Sequence, residues 1–395
     1  MTIEGLAALR TPEGTTALAA AAELAVADPL TAASALRARG HDPALAAAAL
    51  TQATLRRRAA DKFGPAAARM FFTRTGLEQS TRTVVADRRA ARLAADGVRA
   101  LADLGCGLGA DALAAARAGI RVYAVEADPF TAALAEANAE ALGLSDRVTV
   151  TVADATTVDV SSVDAVFCDP ARRRVGTGRR VFDPYYYSPP WDFVLSLATR
   201  VPRTVVKVAP GIDHELIPAG AEAEWVSVDG DVVEAALWCG PMARTPRRAT
   251  LLSRRGSPHE LVGSADASAP VGIVRRFLYD PDGAVVRAHL VAAFAATVDG
   301  VLADSTIAYV YADADALTTF ARRFRVHDAL RFSLKRLRAL LRGRGIGRVE
   351  ILKRGSALDP EHLRRDLRLS GDGSATLVLT RVAGEPTVLI CDPVD

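Results

Sequence analysis

The feature that most constrains this chain is a junction. An apolar run, Val98 to Leu104, passes at once into Gly105-Cys106-Gly107-Leu108-Gly109 and then into the alanine-rich stretch Ala110 to Ala118. A strand that turns through glycines into a helix opens a parallel α/β sheet. The alternation continues. Ile120 to Val125 predicts a second strand, Pro129 to Leu142 a helix, Val148 to Val152 a third strand and Ala165 to Cys168 a fourth. Trp191 to Thr199 predicts another helix and Thr204 to Val208 a fifth strand. Glu224 to Val228 and Val233 to Trp238 meet at Asp229-Gly230, a hairpin signal, and are expected to close the sheet at its edge.

Flanking this core, residues 1–95 are rich in Ala, Leu, Glu and Arg and predict helices, broken at Pro29, Gly40-His41-Asp42-Pro43 and Gly64-Pro65. Ser80-Thr81 is placed to cap the last of them, through Ala94. The Ser-, Gly-, Ala- and Pro-containing stretch Gly256 to Pro270 reads as a linker. Residues 265–395 then read as a separate α+β unit. Its expected strands are Val271 to Leu278, Ile307 to Tyr311, Thr319 to Val326, Arg348 to Leu352, Ala375 to Thr380 and Thr387 to Ile390. Its expected helices are Gly283 to Ala295, Arg331 to Leu341 and Pro360 to Leu367. The expected division is therefore 1–95, 96–258 and 265–395.

Charge is nearly balanced, with 49 basic and 46 acidic side chains and a net charge of +3, so global charge names no partner. The four cysteines stand far apart, without a CxxC or a Cys/His cluster, so neither a disulfide framework nor a metal site is expected. There is no basic segment before an apolar run at the start and no stretch long enough to span a bilayer. A cytoplasmic location without membrane contact is the expectation.

Gly105-x-Gly107-x-x-Ala110 also satisfies a dinucleotide fingerprint, so the glycines alone leave a nicotinamide cofactor open. Three acids separate the readings. Asp103 precedes the glycines, where a carboxylate suits a cationic amino-acid moiety and would repel a pyrophosphate. Glu126 ends the second strand, in place for ribose hydroxyls. Asp154-Ala155 follows the third, with an acceptor for an adenine amino group. A fourth acid, in Asp169-Pro170-Ala171-Arg172, ends the fourth strand.

Over residues 101–172 this ordered set resembles the class I S-adenosylmethionine-dependent methyltransferases. The resemblance implies a Rossmann-like sheet with S-adenosylmethionine as cofactor. Asp103, Gly105, Gly107 and Gly109 would lie at the methionine part, Glu126 at the ribose, and Asp154 with Ala155 at the adenine. Asp169, Pro170 and Arg172 would form the catalytic motif. In the amino-methylating families a D/N-P-P-Y/F motif holds the target amino group on a carboxylate and a carbonyl. Here Ala171 replaces the second proline and Arg172 the aromatic. Asp-Pro-Ala-Arg is also similar to the Asp-Pro-Pro-Arg of uracil-C5 methyltransferases, but Val206-Lys207-Val208-Ala209-Pro210-Gly211 lacks their nucleophilic cysteine.

The missing stacking face could come from Phe182, Tyr185, Tyr186, Tyr187 and Trp191, which follow the arginine-rich loop Arg172 to Arg180. Lys62-Phe63-Gly64 and Phe71 to Arg82 occupy a position that often lids the cofactor in this fold, with packing an equal alternative. From Ala321 to Arg354 there are twelve basic and two acidic residues. Phe332, Lys335 and Arg336 share helical spacing beside an apolar stripe of Leu334 and Leu337, a candidate phosphate-facing surface. With Leu278-Tyr279-Asp280-Pro281-Asp282, Ile346-Gly347, Lys353-Arg354-Gly355 and Arg364-Arg365, the whole chain resembles bacterial methyltransferases with a C-terminal THUMP-like domain. That resemblance implies RNA as partner. The leading expectation is an RNA methyltransferase acting on a base of tRNA or rRNA, on nitrogen, at the Asp169 site. The rivals are a small-molecule or protein methyltransferase and an RNA-binding module with a vestigial site.

Overall fold

The computed structural model describes residues 1–24, 28–170, 187–253 and 256–394. They form two compact units, Met1–Ala221 with Ala236–Ala243, and Glu222–Ala235 with Arg244–Asp395.

The first unit begins with helices α1 (Ile3–Leu9), α2 (Pro12–Leu24), α3 (Pro29–Ala38), α4 (Pro43–Phe63), α5 (Arg74–Gln79) and α6 (Thr83–Ala95). Asp28 and Asp42 cap α3 and α4, each followed by a proline, whose fixed φ suits the first helical turn. Ser80 and Thr81 do not cap α6. Its N-cap is Arg82, without a side-chain hydrogen bond. Both hydroxyls are engaged elsewhere: Ser80 Oγ donates to the Gly76 carbonyl, and Thr81 Oγ1 accepts from Lys207.

Strands β1 (Ala100–Leu104), β2 (Arg121–Glu126), β3 (Val148–Val152), β4 (Ala165–Cys168) and β5 (Thr204–Val208) alternate with α7 (Ala110–Arg117), α8 (Pro129–Ala141) and α9 (Trp191–Arg200). All neighbouring pairs are parallel, in the order β3-β2-β1-β4-β5. The last residues of β7 (Asp231–Trp238) also fall in this unit. The order reverses between β1 and β4. At such a switch point the connections leave in opposite directions, opening a crevice beyond the carboxyl ends of the two strands. Leu104 and Cys168 are register partners there.

In the second unit, β6 (Glu222–Val228) pairs in parallel with β8 (Arg247–Leu252), which pairs antiparallel with β9 (His259–Gly263). The expected hairpin turn is present, with Asp229 and Gly230 both at positive φ, but β6 is not a sheet edge. The presumed linker contains β9. Both extra strands carry buried or half-buried charge, Arg248 pairing with Glu222 and Glu260, and so lack an apolar signature.

A seven-stranded sheet completes the unit, in the order β11-β12-β10-β13-β16-β15-β14. Its strands are β10 (Phe277–Pro281), β11 (Val301–Leu302), β12 (Val310–Ala312), β13 (Ala321–Arg331), β14 (Ile346–Lys353), β15 (Gly373–Val382) and β16 (Glu385–Val394). Only β14 and β15 run parallel, joined through α13 (Pro360–Leu367). With α12 (Leu334–Gly343), α13 buries Leu337, Leu341, Leu363 and Leu367 against Ile346, Leu377 and Val388. The helix expected over Gly283 to Ala295 is two, α10 (Gly283–Arg287) and α11 (Val291–Thr297), because His289 takes φ +58° between them. The strand expected from Val271 starts only at Phe277.

Candidate active site

The site grows from the end of β1. Gly105 and Cys106 donate their amides to the Val125 carbonyl at 2.9 and 3.1 Å, folding the loop back over β2. Gly105 has φ +84°, and a Cβ there would sit 3.0 Å from the Asp169 carbonyl oxygen. Glycine is thus required twice at this position, by conformation and by the close approach of β4. Gly107, at φ +55°, would point a Cβ into open space, so its conformation alone demands glycine. Its amide donates to Glu126 Oε2 at 3.0 Å, while Glu126 Oε1 accepts from the Asp128 amide at 3.0 Å. Glu126 therefore ties the turn after β2 to the glycine loop.

Asp103 is 1% exposed, and neither of its carboxylate oxygens has a hydrogen-bond partner. Burial holds its carboxyl well above the usual carboxylate range, reinforced by Asp111 and Asp169 and opposed by Arg89 and Lys207. Arg89, itself buried, pairs with Asp111 and lies 4.4 Å from the Phe167 ring centroid. An acid sealed without a donor is destabilising by itself.

Asp169 follows β4, its amide donating to the Leu104 carbonyl at 3.2 Å. Its Oδ2 accepts from Lys207 Nζ at 2.7 Å, and the same ammonium donates to Thr81 Oγ1 at 3.0 Å. Lys207 is 6% exposed on a strand that is otherwise Thr and Val. Pro170 is buried beside Asp169, whereas Arg172, the rest of its basic loop, and Phe182, Tyr185 and Tyr186 lie outside the described residues. Tyr187 and Trp191 are buried, not presented for stacking. Asp154 turns one oxygen into its own turn, where Oδ1 accepts from the Thr156 amide and hydroxyl, both at 2.8 Å. These bonds hold its carboxyl below the usual range. Ala155 opens the same turn.

Segment 71–82 lies against the glycine loop. Asn138, fully buried on α8, donates to the Leu108 and Phe71 carbonyls at 3.0 and 3.1 Å and accepts from the Phe71 amide at 2.6 Å. A Cβ on Gly76 would come within 2.8 Å of the Leu108 side chain. The sequence singled out none of Arg89, Asn138 or Lys207. A lone lysine in an apolar strand, and an asparagine on a helix face toward the core, were the signals available.

All four cysteines are buried, and burial pushes every thiol up, Cys239 to about 11 and Cys391 to about 12. None is a ready nucleophile.

On this geometry the comparisons bear directly. A methyltransferase domain model matches residues 101–174, a THUMP domain-like model residues 321–393, and a domain of unknown function residues 2–59. Over 354 residues the chain is 36% identical to proteins of Mycobacterium tuberculosis strains H37Rv and CDC 1551, described as uncharacterized S-adenosylmethionine-dependent methyltransferases. The match covers 86% of this chain and 95% of each relative. The chain belongs to the S-adenosylmethionine-dependent methyltransferases. It is a transferase that takes S-adenosylmethionine as methyl donor. In fold, this methyltransferase is similar to a crystal structure from Porphyromonas gingivalis W83, described as a candidate methyltransferase. The TM-score is 0.77 at 22% identity, covering 96% of this chain and 99% of that one. The residues present fit the donor: the buried carboxyl of Asp103 has no hydrogen-bond partner, as a site for a cationic group needs, and the space beside Gly107 is open. No helix among the described residues is long and apolar enough to cross a membrane.

Proposed function

We propose that this methyltransferase modifies a base of RNA, on nitrogen, with Asp169 as the catalytic residue. The observation that carries the reading is the position of Asp169 at the switch point. Its carbonyl lies against Gly105 of the donor loop, and its carboxylate is half-buried in the same crevice. An exocyclic amino group is a poor nucleophile because its lone pair is conjugated into the ring. Acceptors at the Asp169 carboxylate and the Pro170 carbonyl would hold its hydrogens and turn the lone pair out of conjugation, toward the methyl group. In-line placement then supplies most of the acceleration. The buried thiols argue against covalent attack on a pyrimidine carbon.

On the donor side, Asp103, Gly105, Gly107 and Gly109 would hold the methionine part, Glu126 the ribose, and Asp154 with Ala155 the adenine. Arg172 is assigned to phosphate or base. Residues 1–95, 96–258 and 265–395 would serve respectively as cover, chemistry and RNA grip. The grip rests on the second unit. Of its basic run, Arg322, Arg323, Arg331, Arg344 and Arg354 are paired with Glu350, Asp315, Glu385, Asp328 and Asp280. Phe332 packs into the core. Lys335, Arg336 and Arg342 on α12 and Arg365 on α13 remain exposed, with no acid at ion-pair distance among the described residues. That smaller set supports phosphate contact.

The test is incubation with labelled donor and total RNA from a strain lacking the gene, with the label then mapped. Asp169→Ala is expected to keep donor affinity and lose transfer. Glu126→Ala is expected to weaken donor binding about tenfold or more, roughly 1.4 kcal/mol. Label entering protein or small molecules instead of RNA would overturn the substrate assignment.

A further inference from the structure

We propose that Lys207 is the positioning residue for Asp169, and that Thr81, delivered by the N-terminal helices, fixes Lys207 in that role. The inference rests on the reading of Asp169 as the carboxylate that binds the methyl acceptor. Lysine at position 207 is costly to the strand. It occupies the interior of β5 among Thr204, Val205, Val206 and Val208, all buried, and an apolar residue would pack there without desolvating a charge. What the ammonium does is specific: it donates to Asp169 Oδ2 at 2.7 Å and to Thr81 Oγ1 at 3.0 Å. With Oδ2 held, the carboxylate is fixed in one rotamer, and Oδ1 is the oxygen left to accept the target N–H and to receive the proton that the nitrogen sheds on methylation.

Thr81 is itself held. Just before it, Lys62 Nζ, from the end of α4, donates to the carbonyls of Leu77, Glu78 and Ser80 at 2.7, 2.9 and 3.1 Å, gathering the C-terminus of α5. A hydrogen-bonded path thus runs from Lys62 through residues 77–81 to Lys207 and Asp169. The charged groups acting on Lys62 are Arg82, Lys207 and Glu78, and Asp103, which interacts with both Lys207 and Asp169, is acted on in turn by Arg89 and Asp111. Burial first, and then the cations Arg82 and Lys207, push the Lys62 ammonium down to about 8, with Glu78 opposing them. The N-terminal helices are therefore part of the acceptor side of the site and not only its cover.

The experiment uses the full chain as wild type, Lys207→Met, Lys207→Arg and Thr81→Val. S-adenosylhomocysteine affinity is measured by calorimetry, and single-turnover transfer from labelled donor into total RNA of the deletion strain is followed at fixed pH. Lys207→Met is expected to bind S-adenosylhomocysteine within about twofold of wild type yet transfer at least ~100-fold more slowly, the loss typical of a misplaced reacting group. Lys207→Arg should restore part of the rate, since a guanidinium can serve both acceptors. Thr81→Val should fall about tenfold in rate without altering the RNA concentration at half-saturation. Wild-type rate in Lys207→Met would overturn the inference alone. An equal loss in Lys207→Arg and Lys207→Met would reduce Lys207 to a structural residue. Absence of label from wild type would overturn the RNA reading, and this inference with it.

Discussion

At the scale of single residues, the site is built from groups that destabilise the empty protein. Asp103 shows this best. Its folded carboxyl titrates above its unfolded one, which ionises near ~3.9. Between those two values the folded chain holds a proton that the unfolded chain has released, so this group's contribution to stability falls as pH rises. Asp103→Asn is accordingly expected to melt higher than wild type at pH 7, with the gap closing as pH falls toward 4. The same variant should bind the methyl donor at least ~10-fold more weakly, about 1.4 kcal/mol. Scanning melts from pH 4 to 8, paired with calorimetry, check both halves. A variant no more stable than wild type would mean that Asp103 has a donor in solution.

Residue by residue, the strand-end positions of Asp103, the glycines, Glu126 and Asp169 were legible, and the side chain that pairs with Asp169 was not. The former stand at or just after the end of an apolar run. Lys207 gives no such signal, as its meaning lies in Asp169 and Thr81, 38 and 126 residues away. Arg89 and Arg92 lie on a helix and are buried, Arg89 4.4 Å from the Phe167 ring centroid and Arg92 3.8 Å from that of Trp238. Charge marks exposure only until a ring or a carboxylate is supplied from elsewhere in the chain.

At the scale of elements, β1 to β5 were readable because each is an apolar run closed by a glycine, proline or acid. Strands β8 and β9 were not, since Arg248, His259 and Glu260 interrupt the pattern that their pairing would otherwise predict. The contact of α8 with segment 71–82 is a further feature only the fold reveals, and it hangs on Asn138. Asn138→Ala would strand the Phe71 amide and two carbonyls in the interior, for a loss of about 3 kcal/mol of stability. Denaturant titration should show that loss with an unchanged slope. Donor affinity should fall with it, because the Leu108 carbonyl belongs to the glycine loop.

At the scale of the whole molecule, charge is nearly neutral, so the RNA binding proposed above must come from a local set of cations. If Lys335, Arg336, Arg342 and Arg365 meet phosphate, the logarithm of RNA affinity should fall linearly with the logarithm of salt. Reversing two of them, Lys335→Glu with Arg336→Glu, should make that slope shallower by about 2. Filter binding between 50 and 200 mM salt, with total RNA as probe, checks this. A slope unaltered by the double reversal would remove α12 from the interface.

The path of the chain through its two units carries one last consequence. It leaves the first at Ala221, returns for Ala236–Ala243 and leaves again, so that β7 is shared between them. Units threaded in this way cannot be inherited as beads on a string. A recombination point between 222 and 238 would divide strand residues of both units. Lineages that carry this enzyme are thus expected to keep or lose the two units together, and a natural gene encoding the first unit alone would require a substitute for the eight-residue return, Ala236–Ala243.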